Sequence, residues 1–205
     1  MIIAVDVGDV RQADDVLSGV YEKVRPLKAG DRVLDLGAHV GYFTMLAAKK
    51  VGPKGFVVAF EPNRRNFDRL QVNCHSLHNA LGLWAGALDQ NGSMPMFEAA
   101  QNSGAHSFHQ IEDATQGKPV PVVDIGEWLI GVGFKPDFIK IDTEYSELAI
   151  LQSLAKSNIR TNLVIEIHSQ SLWADCLKVL KAGRYEVSPT DYGNPPHHIF
   201  YATPK

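Results

Sequence analysis

The chain has 205 residues, a net charge of -3 and 45% apolar residues. That length fits one domain with a substantial core, and the slightly acidic balance gives no broad attraction for nucleic acid. No apolar run approaches the roughly 20 residues needed to cross a bilayer, no signal-peptide pattern opens the chain, and two cysteines are too few for a disulfide framework or a zinc site, so the expected location is cytoplasmic.

In chain order, Ile2 to Val5 reads as a short strand, and Asp14 to Val24 as a helix with Val16, Leu17, Val20 and Val24 at helical spacing. Residues 1–30 are expected to form a helical extension on a compact domain spanning 31–205. Val33 to Leu36 is the first core strand, followed by a helix from Tyr42 to Lys50 that Gly52, Pro53 and Gly55 end. Phe56 to Phe60 is an unbroken apolar run, the pattern of a strand covered on both faces. Asn63 is a suitable N-cap for a helix reaching Cys74. Weaker strands follow at Leu83 to Ala87 and Met94 to Phe97, with the turn signal Asn91-Gly92 between them.

Residues 99–119 lack periodicity and hold His106 and His109, the composition of a loop that can cover a site. Pro119 to Val123 reads as extended, and Asp124 as the cap of a short helix. Phe138 to Ile141 and Asn162 to Ile167 are buried strands, each followed by a helix. Tyr185 to Val187 and His198 to Tyr201 close the chain as a strand pair across a loop rich in proline. Strands alternating with helices predict a Rossmann-like three-layer α/β sandwich. Its seven-stranded sheet is expected to be mostly parallel, with an antiparallel C-terminal strand.

Ligands of open α/β sheets bind beyond the carboxyl ends of the strands. Those ends carry Asp35 to Gly37, Glu61-Pro62, Asp142 to Glu144, and Glu166 to His168. Gly37 permits a tight turn after the first strand, and Gly41 lets the next helix approach closely. The dinucleotide pattern G-x-G-x-x-G needs a middle glycine beside a pyrophosphate. His39 stands there, which disfavours a dinucleotide. Glu61, ending the second strand, is placed to accept hydrogen bonds from a ribose diol.

These segments, VLDLGAHVGYFT (33–44), VVAFEPNRRNFDRLQVN (57–73), DFIKIDTEYSELAIL (137–151) and LVIEIH (163–168), resemble the FkbM-like family of class I S-adenosylmethionine-dependent methyltransferases. The family usually has asparagine at His39, and more often valine at Thr143 and glycine at Tyr145. The resemblance implies S-adenosyl-L-methionine as cofactor. It also implies Asp35, Gly37 and His39 around the methionine part, Gly41 in the same turn, and Glu61 on the ribose. Pro62 and Asn63 would flank the adenosine, Ala87 and Leu88 would wall the adenine, and Asp142 would close the crevice near the amino-acid part or the acceptor.

Methyl transfer needs alignment above all, and a hydroxyl acceptor also needs a base. Asp142, Glu166 and His168 are the catalytic candidates, with Glu144 beside them. Histidine's reference pKa of about 6.5 suits base work near neutrality. No tight metal-ligand spacing is present, so metal independence is expected. The expected reaction is O-methylation of a small-molecule, sugar or natural-product hydroxyl, with no nucleic-acid partner. N-methylation, a protein or RNA acceptor, an inactive cofactor-binding regulator and an NAD-dependent oxidoreductase are the alternatives. Composition sets no oligomeric state.

Overall fold

A computed structural model describes residues 13, 16–98, 106–108, 117–189 and 198–205. In chain order its elements are β1 (Arg32–Leu36), α1 (Tyr42–Val51), β2 (Phe56–Phe60), α2 (Arg64–Cys74), β3 (Ala80–Leu83), β4 (Gly86–Leu88), β5 (Gly92–Met96) and β6 (Lys118–Asp124). They continue with α3 (Ile125–Gly131), β7 (Phe138–Ile141), α4 (Glu147–Lys156), β8 (Asn162–Ile167), α5 (Gln170–Ala182), β9 (Tyr185–Pro189) and β10 (His198–Pro204). The principal sheet has seven strands in the order β3-β2-β1-β7-β8-β10-β9, and a second sheet has the order β4-β6-β5.

Only β10 runs against its neighbours in the large sheet, antiparallel to both β8 and β9. The fold is therefore the expected mostly parallel α/β sandwich. The antiparallel C-terminal strand does not end the sheet, however. It inserts between β8 and β9, so that β9 is the edge.

Alternation along the strands sends neighbours to opposite faces. Leu34 and Leu36 pack with Ile125, Leu129, Ile150, Leu154 and Leu180 from α3, α4 and α5. Val33 packs on the other face with Phe43, Ala47 and Val51 from α1. Val16, Val20, Tyr21 and Leu27 join that second cluster, so the chain ahead of β1 contributes to the core. The helix predicted over Asp14 to Val24 is interrupted at Gly19, whose φ of 75° leaves the helical region, and continues as the 3-10 turn Val20–Glu22. Asp14 and Asp15 lie outside the described residues, as do Ile2 to Val5.

The strand predicted at Leu83 to Ala87 is two strands in two sheets. Leu83 ends β3, and the chain turns at Trp84 and Ala85 before β4 begins at Gly86. The turn signal at Asn91-Gly92 does not make a hairpin of β4 and β5, because β6 lies between them. Asn91 serves that layer instead by accepting from the Asp124 N–H at 3.0 Å. Both predicted caps are present: Asn63 Oδ1 accepts from Asn66 N, and Asp124 Oδ1 from Glu127 N, each at 3.0 Å. Among the described residues, no helix is long and apolar enough to cross a membrane.

Candidate active site

The turn after β1 is built on backbone geometry. Gly37 has φ 78°, and a Cβ there would lie 1.7 Å from the Asp142 carbonyl oxygen. The Gly37 and Ala38 N–H groups both donate to the Phe60 carbonyl, at 3.1 and 3.0 Å. Gly41, at φ 93°, sets α1 against α2, and a Cβ there would meet Leu70 Cδ1 at 2.6 Å. His39 is also left-handed, at φ 52°. Among side-chain-bearing residues, asparagine, aspartate and histidine tolerate that conformation best, which gives a backbone reason for histidine where asparagine is usual.

Glu61 closes this turn from β2. Its Oε2 accepts the His39 N–H at 2.8 Å, and its Oε1 accepts the Asn63 N–H at 2.9 Å. Burial pushes its carboxyl up to about 7, against the pull of those two N–H groups and of Lys140.

The opposite side of the crevice comes from the ends of β7 and β8. Asp35 and Lys140 are register partners on β1 and β7. Both are buried, and Lys140 Nζ lies 3.2 Å from Asp35 Oδ1. Thr44 Oγ1 donates to Asp35 Oδ2 at 2.6 Å. The same ammonium reaches the Gly37 carbonyl at 3.1 Å and Asp142 Oδ2 at 3.3 Å. Burial works to lower the Lys140 pKa, but the charges of Asp35 and Asp142 prevail and raise it. Burial likewise works to raise Asp142, but Lys140 and His168 hold it below the usual carboxylate range.

Tyr21 crosses from the N-terminal segment. Its hydroxyl lies 3.1 Å from Glu166 Oε2 and 3.4 Å from Asp142 Oδ2. Burial, reinforced by the Asp142 charge, pushes Glu166 up to about 7. Glu144 is pushed up to about 8, chiefly by burial. Glu144 and Tyr145 are consecutive left-handed residues, at φ 49° and 79°, and Ser107 Oγ donates to the Glu144 carbonyl at 2.9 Å. Tyr145 carries a ring in this conformation, and that ring sits 5.7 Å from the His168 ring.

His168 is 1% exposed. Its Nδ1 lies 2.8 Å from Glu147 Oε1, and its Nε2 faces Glu144 Oε1 at 3.5 Å and Asp142 Oδ1 at 3.7 Å. Burial works to lower its pKa, but Glu147, Glu144 and Asp142 together push it up to about 10. An imidazolium donates hydrogen bonds and cannot accept a proton.

An open cleft joins the two sides. Gly37, His39, Glu61, Pro62, Ala87, Asp142 and Glu166 line it. Asp35 lies beneath it, Gly41 is at the start of α1, Asn63 is the N-cap of α2, Leu88 is buried at the end of β4, and His168 stands behind Asp142. Tyr21, Asn66, Gly86 and Phe108 line the cleft without having been singled out by sequence. Lys140 was equally hidden, as a lone cation in an apolar strand. His106 of the irregular segment does reach the cleft, whereas His109 lies outside the described residues. The thiols of Cys74 and Cys176, both on helices, are pushed up to about 12, chiefly by burial, and are not nucleophiles at neutral pH.

The model of the methyltransferase FkbM domain matches residues 35–187, from β1 into β9. The chain belongs to the FkbM methyltransferase family. Its fold is shared with an FkbM methyltransferase from Methylobacillus flagellatus KT, at 18% identity and a TM-score of 0.65, over 87% of this chain and 45% of that one. This chain thus spans less than half the length of that FkbM protein. Aeropyrum pernix fibrillarin, crystallised with natively bound S-adenosyl-L-methionine, is similar at 17% identity and a TM-score of 0.63, over 93% of this chain and 74% of that one. An S-adenosylmethionine-dependent O-methyltransferase from Thermotoga maritima is similar at 13% identity and a TM-score of 0.52, over 95% and 65% of the two chains. No curated protein matches the chain.

Proposed function

We propose that this FkbM-family chain is an S-adenosylmethionine-dependent O-methyltransferase acting on a hydroxyl of a small molecule, sugar or natural product. One observation carries the reading: Glu61, aimed across the glycine turn, shares a single cleft with Asp142 and Glu166. The residues fit an adenosyl cofactor without a pyrophosphate. The turn at Gly37 offers a side-chain-free surface, Glu61 offers a carboxylate for a ribose diol, and Pro62 and Ala87 offer apolar walls. His39, Asn63 and Leu88 support that side, and Asp35 and Gly41 hold the turn in shape.

When bound, S-adenosylmethionine supplies an electrophilic methyl group on its sulfonium sulfur. The chain's own part is to orient the acceptor and receive its proton. Asp142 and Glu166 line the acceptor side, so they are the groups that would touch an acceptor hydroxyl. His168, buried behind Asp142, acts through Asp142 as a positioning residue. Of the candidate bases, this reading keeps Asp142 and Glu166 and gives His168 a positioning part.

Calorimetric titration with S-adenosylmethionine and S-adenosylhomocysteine, with NAD alongside, tests the cofactor. Binding of the two sulfur compounds without NAD is the expected result. Binding of NAD alone would transfer the cleft to hydride chemistry. Turnover of hydroxylated sugars and phenols against amines and RNA, followed by release of S-adenosylhomocysteine, then separates an oxygen acceptor from the alternatives.

A further inference from the structure

The acceptor side gathers three side chains able to ligate a metal ion. Asp142, Glu166 and His168 each offer a ligand atom, and these atoms all lie within 4.8 Å of one another. The His168 Nδ1 contact with Glu147, at 2.8 Å, fixes the ring so that Nε2 faces Asp142 Oδ1 at 3.7 Å and Glu144 Oε1 at 3.5 Å. Two ligands of one ion, each bound at about 2.1 Å, stand about 3.0–3.5 Å apart, so His168 and Asp142 are already near that spacing at 3.7 Å, and side-chain rotation of up to about an ångström closes the rest of the set.

The atoms that would not face the ion are already engaged. Lys140 and Tyr21 hold Asp142 through Oδ2, and Tyr21 holds Glu166 through Oε2. A histidine whose second nitrogen rests on a carboxylate is the usual support of a metal-bound imidazole. Independently, Ser146 lines the same cleft at 3% exposure, and its Oγ has no hydrogen-bond partner among the described residues. The buried Thr143 Oγ1 likewise has none. Buried hydroxyls are normally satisfied, so these point to a polar occupant of that end.

We propose that Asp142, Glu166 and His168 form a binding site for one divalent cation at the acceptor end of the cleft. Carboxylate oxygens suit hard cations, and the single imidazole favours Mn²⁺ over Mg²⁺. The ion would be bound by Nε2, with Nδ1–H resting on Glu147. Its remaining positions would open into the cleft, where they can hold and acidify an acceptor oxygen whose proton leaves to water, so that with the ion bound Asp142 and Glu166 serve as its ligands rather than as the base. Glu166 and His168 come from the end of one strand and Asp142 from the end of another, so the full set is not a sequence motif, and the proposal departs from the metal independence expected from sequence. The role assigned to the ion rests on the methyltransferase reading, whereas its binding does not.

The test uses the full chain, stripped with chelator and titrated with MnCl₂. Loss of the free Mn²⁺ resonance signal and the heat of binding are the readouts. The expected result is one class of site, lost in Glu166→Gln and His168→Ala and kept in Asp175→Asn. Glu147→Gln leaves every ligand in place and should weaken binding about 10–100-fold by freeing the ring. Glu166→Gln, on the cleft wall, keeps the test decisive should His168→Ala fail to fold. Absence of Mn²⁺ binding, or binding equally strong in Glu166→Gln, overturns the proposal. Titration with S-adenosylhomocysteine without metal separates the two readings. If it binds and Mn²⁺ does not, the cation site falls and the methyltransferase stands. If Mn²⁺ binds and it does not, the reverse holds.

Discussion

The two sides of the cleft are built on opposite principles. The Gly37–Glu61 side is nearly all backbone: a left-handed turn, two N–H groups on the Phe60 carbonyl, and one carboxylate held by two more N–H groups. The Asp142–His168 side is nearly all ionisable side chain, with Tyr21, Lys140, Asp142, Glu144, Glu147, Glu166 and His168 in one network. A backbone-built site tolerates little substitution because glycine geometry is not replaceable. A charge-built site depends on how its groups balance, because each buried charge relies on its neighbours. The first design suits a ligand of constant shape, and the second can be retuned by single substitutions.

The sharpest way to break this contrast is Lys140→Met. It leaves Asp35 and Asp142 without their shared cation and should cost about 3–5 kcal/mol of stability. Denaturant unfolding measures it, and Asp35→Asn in the same chain should restore part of the loss. A loss under about 1 kcal/mol would mean that the buried pair contributes little. Next comes Gly37→Ala. Its methyl would collide with the Asp142 carbonyl, so unfolding and cofactor titration should together show a loss of about 2–4 kcal/mol and collapse of binding. Unaltered binding would show that the turn can open without consequence.

Glu61→Gln should leave the fold intact and weaken S-adenosylmethionine by about 1.5–3 kcal/mol, the worth of hydrogen bonds to a charged acceptor. Glu61 also gives the backbone-built side a pH signature. Its folded pKa, about 7, lies above its ordinary value of 4.5. The folded state therefore holds the proton more tightly, and its contribution to stability is present below pH 4.5 and is lost as pH rises through about 7. Ribose hydroxyls favour the ionised form, so cofactor affinity should run the other way and fall as pH drops below about 7. Calorimetry across that range checks it, and a flat profile that persists in Glu61→Gln would remove Glu61 from the ribose. The smallest effect belongs to Tyr21→Phe, about 0.5–1.5 kcal/mol in stability. It should be accompanied by a larger change in acceptor KM than in cofactor affinity.

The same contrast decides what could be read from the sequence. The backbone-built side comes from two successive strand ends, so Gly37, Gly41 and Glu61 stand out through turn chemistry and strand ends alone. His39 looked anomalous only because its backbone conformation is invisible in a motif. The charge-built side joins segments far apart in the chain. Tyr21 lies 121 residues from Asp142, and no spacing links them. Glu166 and His168 were legible as a strand end, but the imidazole's burial behind Asp142 depends on Glu147, a helix residue. The fold was legible wherever an apolar run filled one strand. It failed at Leu83 to Ala87, where a continuous run conceals a turn between two sheets.

Lys140 has a bearing on how this chain's relatives diverge. One ammonium neutralises a carboxylate on β1 and another just past the end of β7, so positions 35, 140 and 142 cannot change independently. Drift at one is constrained by the other two. In homologous sequences, a neutral residue at position 140 is expected where position 35 has lost its charge as well, and the acceptor range should shift along the lineages that made both changes.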